Sequence, residues 1–215
     1  MGFETPFARP GKIVCVGRNY ADHAAELGNV VPERPLLFLK PPSSVIGDSD
    51  TILLPPESQQ VEHEGEIGVV IGRTMYRITE AEALEGVAGY VCVNDVTARD
   101  LQKLDVQFTR GKGFDTFCAV GPSVVEPPAG MDHSDLEVIC RVNGEVRQHG
   151  HARDMQFSIP MVVAYISSIM TLEPGDLIAT GTPAGVGPLL PGDTVEVEIP
   201  SVGLLTNRVE TYEGP

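Results

Sequence analysis

Glu64 and Glu66 in V-E-H-E-G-E-I-G-V-V-I-G (residues 61–72) and Asp95 in V-C-V-N-D-V-T-A-R-D (91–100) are the residues of this chain best suited to chemistry. Both segments are rich in Val and Ile and end in Gly or polar residues, the pattern of buried β-strands. Alternate residues of a strand share a face, which predicts that Glu64 and Glu66 point the same way and that Glu62 joins them if the strand is regular. Carboxylates set among aliphatic residues are costly unless something neutralises them. A hard divalent cation does so, and Mg²⁺ or Mn²⁺ suits three carboxylate ligands that leave other positions to water or substrate. A lone E-x-E pair is common on solvated strand faces, so the reading depends on what accompanies it.

Several patches accompany it. In G-R-N-Y-A-D-H-A-A-E (17–26), His23 and Glu26 lie three apart, where side chains on a helical turn meet. A carboxylate beside an imidazole orients the ring and raises its basicity, which suits a general base, although such pairs are ordinary on surface helices. Arg99 and Gln102 follow Asp95 and could bind an anionic substrate. Lys112 in R-G-K-G-F-D-T-F-C sits between glycines, where backbone can approach a ligand closely. G-T-P-A-G-V-G-P (181–188) has the look of a phosphate loop but carries neither G-x-x-x-x-G-K-[ST] nor G-x-G-x-x-G, which disfavours nucleotides and leaves a rigid Gly-Pro loop.

At 215 residues, 42% hydrophobic and 21% charged, the chain fits one soluble domain with a substantial core. A formal net charge of −15 argues against a nucleic-acid partner, since phosphate binding needs a basic face. It leaves room for small anions, because a local cation outweighs the global field. Cys15, Cys92, Cys118 and Cys140 are far apart and form no C-x-x-C, as expected of buried hydrophobes in a reducing compartment. Residues 1–11 show no signal core, and Pro6 stands where a myristoylation signal takes Ser or Thr. The longest apolar stretch, 159–172, is too short to span a bilayer, so no membrane partner and a cytoplasmic location are expected.

The elements that must position these residues are mostly short strands, as 23 Gly and 18 Pro spread throughout the chain suggest. Strands are predicted at 12–16, 36–39, 51–54, 89–93, 176–179, 194–199 and 204–210. Helices are predicted at 21–27, closed by Gly28, at 80–85, and from a Ser158 cap to about 170 with Pro160 in the first turn. The last helix should bury a stripe of Met161, Val162, Tyr165, Ile166 and Ile169. Asn143-Gly144 between 137–142 and 145–148 signals a hairpin. No linker or repeat divides the chain. The fold class expected is α+β and β-rich, with a few peripheral helices.

Taken together the patches resemble the fumarylacetoacetate hydrolase (FAH) family, in its single-domain branch of acylpyruvases and oxaloacetate decarboxylases. The resemblance runs in order from about residue 12 to 209 through G-R-N-Y-A-D-H, F-L-K-P, H-E-G-E-I-G-V-V-I-G, N-D-V-T-A-R-D-L-Q, G-K-G-F-D-T-F, F-S-I-P and G-T-P-A-G-V-G-P. Each marker is weak alone; the ordered set is specific. The resemblance implies a mixed β-roll, one catalytic domain over 1–215, a homodimer, and Mg²⁺ or Mn²⁺ as cofactor. It matches Glu64, Glu66 and Asp95 to metal ligands, and His23 and Glu26 to a catalytic dyad on a segment that orders as a lid. Lys112 matches the catalytic lysine, Arg99, Gln102 and Thr182 match substrate contacts, and Lys40 and Arg18 are further pocket residues.

The substrates so implied are 2-oxo acids with a second carbonyl or carboxylate two carbons beyond the ketone. The expected reaction is carbon–carbon cleavage through a stabilised enolate, by acylpyruvate hydrolysis or oxaloacetate decarboxylation. In hydrolysis His23 and Glu26 would activate water, and Lys112 would stabilise the oxyanion. The same site could serve an isomerase or tautomerase of oxo diacids, such as a 2-hydroxyhepta-2,4-diene-1,7-dioate isomerase or an oxaloacetate tautomerase, which needs only proton transfer. A non-catalytic oxo-acid-binding protein would need the metal and anion contacts but not His23, Glu26 and Lys112.

Overall fold

A computed structural model describes residues 9–214; residues 1–8, which include most of the segment read for targeting signals, lie outside the described part. Two mixed sheets and a small antiparallel one form the body of the protein. The largest has seven strands in the order Leu36–Lys40, Ile13–Gly17, Leu177–Ala179, Gly65–Ile71, Val87–Asp95, Cys118–Val125 and Val45–Ile46. Its pairings are antiparallel except Ile13–Gly17 with Leu177–Ala179 and Val45–Ile46 with Cys118–Val125. A five-stranded sheet runs Glu145–His151, Glu137–Val142, Thr194–Ile199, Gly203–Thr211 and Thr51–Leu54. The third sheet joins Gly187–Pro188, Val61–His63 and Thr97–Ala98. The protein is therefore β-rich, with curled sheets and few helices, as the strand-and-turn pattern implied.

The five-stranded sheet packs on one face of the seven-stranded sheet. Its alternating residues Val138, Cys140, Val195, Val197 and Ile199 meet Ile67, Val69 and Cys92 in one apolar core. Ile13, Cys15, Val91, Val93, Cys118 and Val120 carry a second cluster on the other face of the large sheet. Burial on both faces explains why Gly65–Ile71 reads as a continuous apolar run rather than an alternation.

The segment 61–72 is not one strand, as its composition suggests. Val61–His63 belongs to the small sheet and Gly65–Ile71 to the large one, so Glu64 sits where the chain passes from one to the other. Gly65 permits the crossing. A Cβ there would come within 2.9 Å of the Cys140 Cβ on the facing sheet.

The longest helix, Ile159–Ile169, is capped by Ser158, whose Oγ accepts from Met161 N at 3.4 Å, with Pro160 in the first turn. Its buried stripe is Ile159, Val162, Val163 and Ile166, while Ile169 is 53% exposed. With Ser167 the buried stripe runs the length of the helix, so the core face is rotated about the axis from the predicted one and leaves Met161 and Tyr165 half-buried at its edge. Asn143 and Gly144 both take positive φ (53° and 78°), the turn expected between the two hairpin strands. Cys118–Val125 and the short helices Arg99–Leu104 and Thr109–Lys112 were not expected from pattern. Gly121-Pro122 interrupts the strand's apolar run, and the helices carry too few apolar residues to show a period.

Candidate active site and metal centre

Strand Gly65–Ile71 and strand Val87–Asp95 pair antiparallel, with Gly65 opposite Asn94, which places Glu64, Glu66 and Asp95 at one end of the central pair. One carboxylate oxygen of each lies within 4.8 Å of the others, and all three residues are buried. The predicted trio therefore converges despite the strand break.

Three cationic side chains hold it. Lys112 Nζ donates to Glu64 Oε2 and Asp95 Oδ2, both at 2.6 Å. Lys40 Nζ donates to Asp95 Oδ1 at 2.5 Å and to the Val96 carbonyl at 3.2 Å. The Arg99 guanidinium donates to Glu62 Oε2 (2.7 Å), Glu64 Oε1 (2.5 Å) and Gln102 Oε1 (2.6 Å). Burial works against the Lys112 charge, but Asp95 and Glu64 outweigh it and hold the ammonium above the ordinary lysine range. Burial likewise opposes ionisation of Glu64, yet Lys112 and Arg99 hold its carboxyl well below the usual carboxylate range.

Glu66 differs. Its Oε2 accepts from Gly181 N at 2.8 Å, and among the described residues no cationic side chain bonds it. Burial first, then the Asp95 and Glu64 charges, push its carboxyl well above the ordinary range. Four buried acids (Glu62, Glu64, Glu66, Asp95) face three buried cations (Lys40, Arg99, Lys112), which leaves one negative charge in excess once Glu66 ionises. An all-oxygen donor set with that deficit fits Mg²⁺ or Mn²⁺. Each carboxylate oxygen has two lone pairs, so one that accepts from an ammonium can still ligate.

Arg18, His23, Phe38, Arg99, Gln102, Lys103, Phe108, Lys112 and Thr182 line, with the three acids, a cavity of about 370 Å³, a size suited to a small molecule. Lys40, expected in the substrate pocket, is not on its wall; it is buried as the partner of Asp95. Arg99 reaches the wall, but its contacts to Glu62, Glu64 and Gln102 make it a support for the acids rather than the free anion anchor expected. Glu62 points to Arg99 rather than into the cavity. Arg18 lies on the wall as expected, with a left-handed φ of 58°.

His23 stands on helix Ala21–Glu26, which ends in a Schellman closure: Gly28 N bonds Ala25 O, and Asn29 N bonds Ala24 O. Its ring is buried, and its Nδ1 is 3.5 Å from Glu26 Oε2 without a hydrogen-bond partner. Burial lowers its pKa, partly countered by Glu64, so the imidazole is neutral at neutral pH. Glu26 instead accepts from Gly185 N at 3.1 and 3.2 Å. Gly185 takes φ +101°, and a Cβ there would stand 1.9 Å from the Arg147 carbonyl. The Gly-Pro loop therefore grips both Glu66, through Gly181, and Glu26, through Gly185.

Two residues escaped the sequence reading. Gln148, buried on strand Glu145–His151, accepts at Oε1 from Gly65 N (2.9 Å) and lies 3.0 Å from His63 Nδ1. Its Nε2 donates to Thr182 Oγ1 (2.6 Å) and the Pro183 carbonyl (2.7 Å). Since an amide oxygen only accepts, His63 must carry its proton on Nδ1. Thr182 Oγ1 in turn donates to Gly65 O at 2.9 Å, so its hydroxyl proton is spent on the scaffold. Gln148 and His63 thus fix the backbone between Glu64 and Glu66. The H in H-E-G-E was the available signal for His63; Gln148 had none.

Asn19, inside G-R-N-Y, is also structural. Its amide bonds Phe157 N and O and the Thr180 carbonyl, tying F-S-I-P to the Gly-Pro loop. All four cysteines are free and buried, with Cys92, Cys118 and Cys140 pushed up to about 12 by burial, as expected of inert thiols. Among the described residues no helix is long and apolar enough to cross a membrane.

Curled sheets thus bring a buried carboxylate trio, framed by cationic side chains, to the wall of a small cavity. Residues 12–210 match the family described as fumarylacetoacetate (FAA) hydrolase C-terminal, and the chain belongs to that family. It is 45% identical over 215 residues to the oxaloacetate tautomerase YisK of Bacillus subtilis, covering 95% of this chain and 71% of that protein. Among solved structures it is similar to a 2-hydroxyhepta-2,4-diene-1,7-dioate isomerase from Mycobacterium marinum (TM-score 0.87, 45% identity, 96% of this chain and 77% of that one). It is also similar to a fumarylacetoacetate hydrolase from Exiguobacterium antarcticum (TM-score 0.88, 44% identity, 97% and 78%).

Proposed function

We propose that this chain is a divalent-metal-dependent enzyme of 2-oxo diacids that moves a proton at the carbon beside the ketone, a tautomerase or isomerase. The observation that carries this reading is His23: a buried imidazole on the cavity wall whose Nδ1 is not bonded to Glu26. A base that activates water is ordinarily oriented by a bonded carboxylate; His23 is placed instead as a carrier that can take and return a proton. The names of the B. subtilis and M. marinum relatives agree with it.

Bound between Glu64, Glu66 and Asp95, Mg²⁺ or Mn²⁺ would supply positive charge where negative charge collects on the ketone oxygen. His23 removes the proton from the adjacent carbon. Lys112, held charged by Glu64 and Asp95, offers a fixed ammonium to the same developing charge. Arg18, Gln102 and Lys103 on the wall bind the distal carboxylate, and Phe38 and Phe108 limit water. Proton return to oxygen gives the enol, and return to carbon gives the ketone.

Carbon–carbon cleavage, by acylpyruvate hydrolysis or oxaloacetate decarboxylation, is the second reading. Lys112 beside the acids favours it, since cleavage leaves charge on the same oxygen, and so does the name of the E. antarcticum relative. A homodimer belongs to the proposal, and light scattering tests it.

The discriminating experiment incubates purified, EDTA-treated protein with and without Mg²⁺ on oxaloacetate and an acylpyruvate. Enol absorbance, CO₂ and pyruvate are followed separately. Metal-dependent change in enol absorbance without matching CO₂ or pyruvate supports the proposal. Metal-dependent product release at the same rate supports the second reading, and equal activity in the metal-free protein rejects both.

A further inference from the structure

A second set of ligand-type side chains lies on the hairpin Glu137–Val142/Glu145–His151, at the free edge of the five-stranded sheet. Glu137 pairs across with His151, and Ile139 with His149. Period-two alternation therefore puts Glu137, His149 and His151 on one face, while Val138, Cys140, Gln148 and Gly150 fill the buried opposite face. Two of the chain's five histidines share this outer face. His149 Nε2 lies 2.6 Å from Glu137 Oε1, and the two imidazole rings are 5.4 Å apart between centroids. One donor atom from each of the three residues lies within 4.8 Å of the others. Tetrahedral ligation with bonds of about 2.0–2.1 Å sets donors roughly 3.4 Å apart, so side-chain rotations of about 1 Å converge the three.

The surroundings favour a cation. The Asp154 carboxylate is 3.7 Å from His151 Nδ1, and the nearby Arg153 is engaged by Asp135 at 2.9 Å. The backbone beneath is a paired hairpin rather than a loop, so two histidines at i and i+2 are held on one side of the strand. Imidazole nitrogens select borderline ions over Mg²⁺, which demands oxygen.

We propose that Glu137, His149 and His151 form a second metal site, for a borderline divalent ion of the Zn²⁺ class. It is chemically separate from the all-carboxylate centre and lies on the outer face of the strand whose inner face carries Gln148. The proposal does not rest on the reaction assigned to the cavity.

Full-length protein saturated with excess Mg²⁺ is titrated with Zn²⁺ by calorimetry and with Co²⁺ by visible absorption. The expected result is one Zn²⁺ per chain and a Co²⁺ spectrum of low coordination number. His149→Gln, which keeps a donor for Glu137, should weaken binding at least about tenfold. His149→Ala/His151→Ala should abolish it, and Glu66→Gln should leave it unchanged. His149 and His151 are not buried, and matching thermal melts in EDTA confirm that the variants fold. No Zn²⁺ binding, binding that the double variant retains, or binding lost in Glu66→Gln would overturn the proposal.

Discussion

The carboxylate centre and the His23 helix face each other across one cavity and are built on opposite principles. Both oxygens of Glu64 and of Asp95 are bonded to lysine or arginine, and those cations are themselves buried. His23 Nδ1 has no partner, and Glu26 is one-third exposed. The first region fixes charge in place; the second leaves a basic nitrogen uncommitted. Electrostatic stabilisation works only when its dipoles need not reorganise, whereas a proton carrier must be free to accept and release.

The largest test of that contrast is loss of the cation. Exhaustive EDTA treatment should abolish turnover, with recovery on Mg²⁺ or Mn²⁺. Glu66→Gln should not recover at concentrations that restore the wild type, because it removes a charge that nothing else in the site supplies. Metal affinity by calorimetry checks this directly.

His23→Ala comes next. It should lower kcat by about 10²–10⁴-fold, the usual contribution of a positioned base, while Mg²⁺ affinity stays near wild type. Loss of metal binding in this variant would erase the distinction between the two regions.

Gln148→Leu sharpens the comparison from the scaffold side. It orphans Gly65 N and the Pro183 carbonyl, at about 1–3 kcal/mol for each buried group left unpaired, so thermal stability should fall. Mg²⁺ affinity should fall with it, because Gly65 lies between two ligands, whereas Gln148→Glu should keep the acceptor for Gly65 N and retain more of that affinity. Unchanged metal affinity in Gln148→Leu would separate the amide from the site.

The pH dependence should also divide along this line. The His23 pKa is lowered from 6.5, so the base stays neutral as pH falls through 6.5, and the acid limb of kcat/KM for that group lies below it. Glu66 has the opposite sign. Its raised carboxyl holds a proton that the cation must displace, so metal affinity should rise with pH through that titration. Affinity measured across the pH range should show one proton released per ion at the acid end. Glu64, held low, makes a further contribution to stability. This is present above its unfolded value of about 4.3 and lost as pH falls through the folded one.

The sequence disclosed the acids because carboxylates within aliphatic strands are conspicuous, and it disclosed the Gly-Pro loop because Gly181 and Gly185 take backbone that other residues resist. The hairpin and the Ser158-capped helix were legible from turn and cap chemistry. What stayed hidden was long-range. Lys40 reads as the end of a strand until Asp95, 55 residues away, meets it, and Arg99 reads as a free cation until Glu62 and Glu64 claim it. Glu62 would join the trio only in a regular strand, and period two fails where the chain changes sheets at Glu64. Gln148 sits in a polar edge strand that suggests nothing, and only the pairing of two sheets brings it to Gly65 and Thr182.

The most direct measurement of the central claim follows the carbon-3 protons of oxaloacetate by NMR in D₂O, with Mg²⁺-loaded protein and background subtracted. Enzyme-dependent exchange of those protons should run faster than enzyme-dependent CO₂ release and collapse in His23→Ala. CO₂ release that keeps pace with exchange, or exchange that His23→Ala leaves intact, would contradict the assignment of His23 as the proton carrier of a tautomerase.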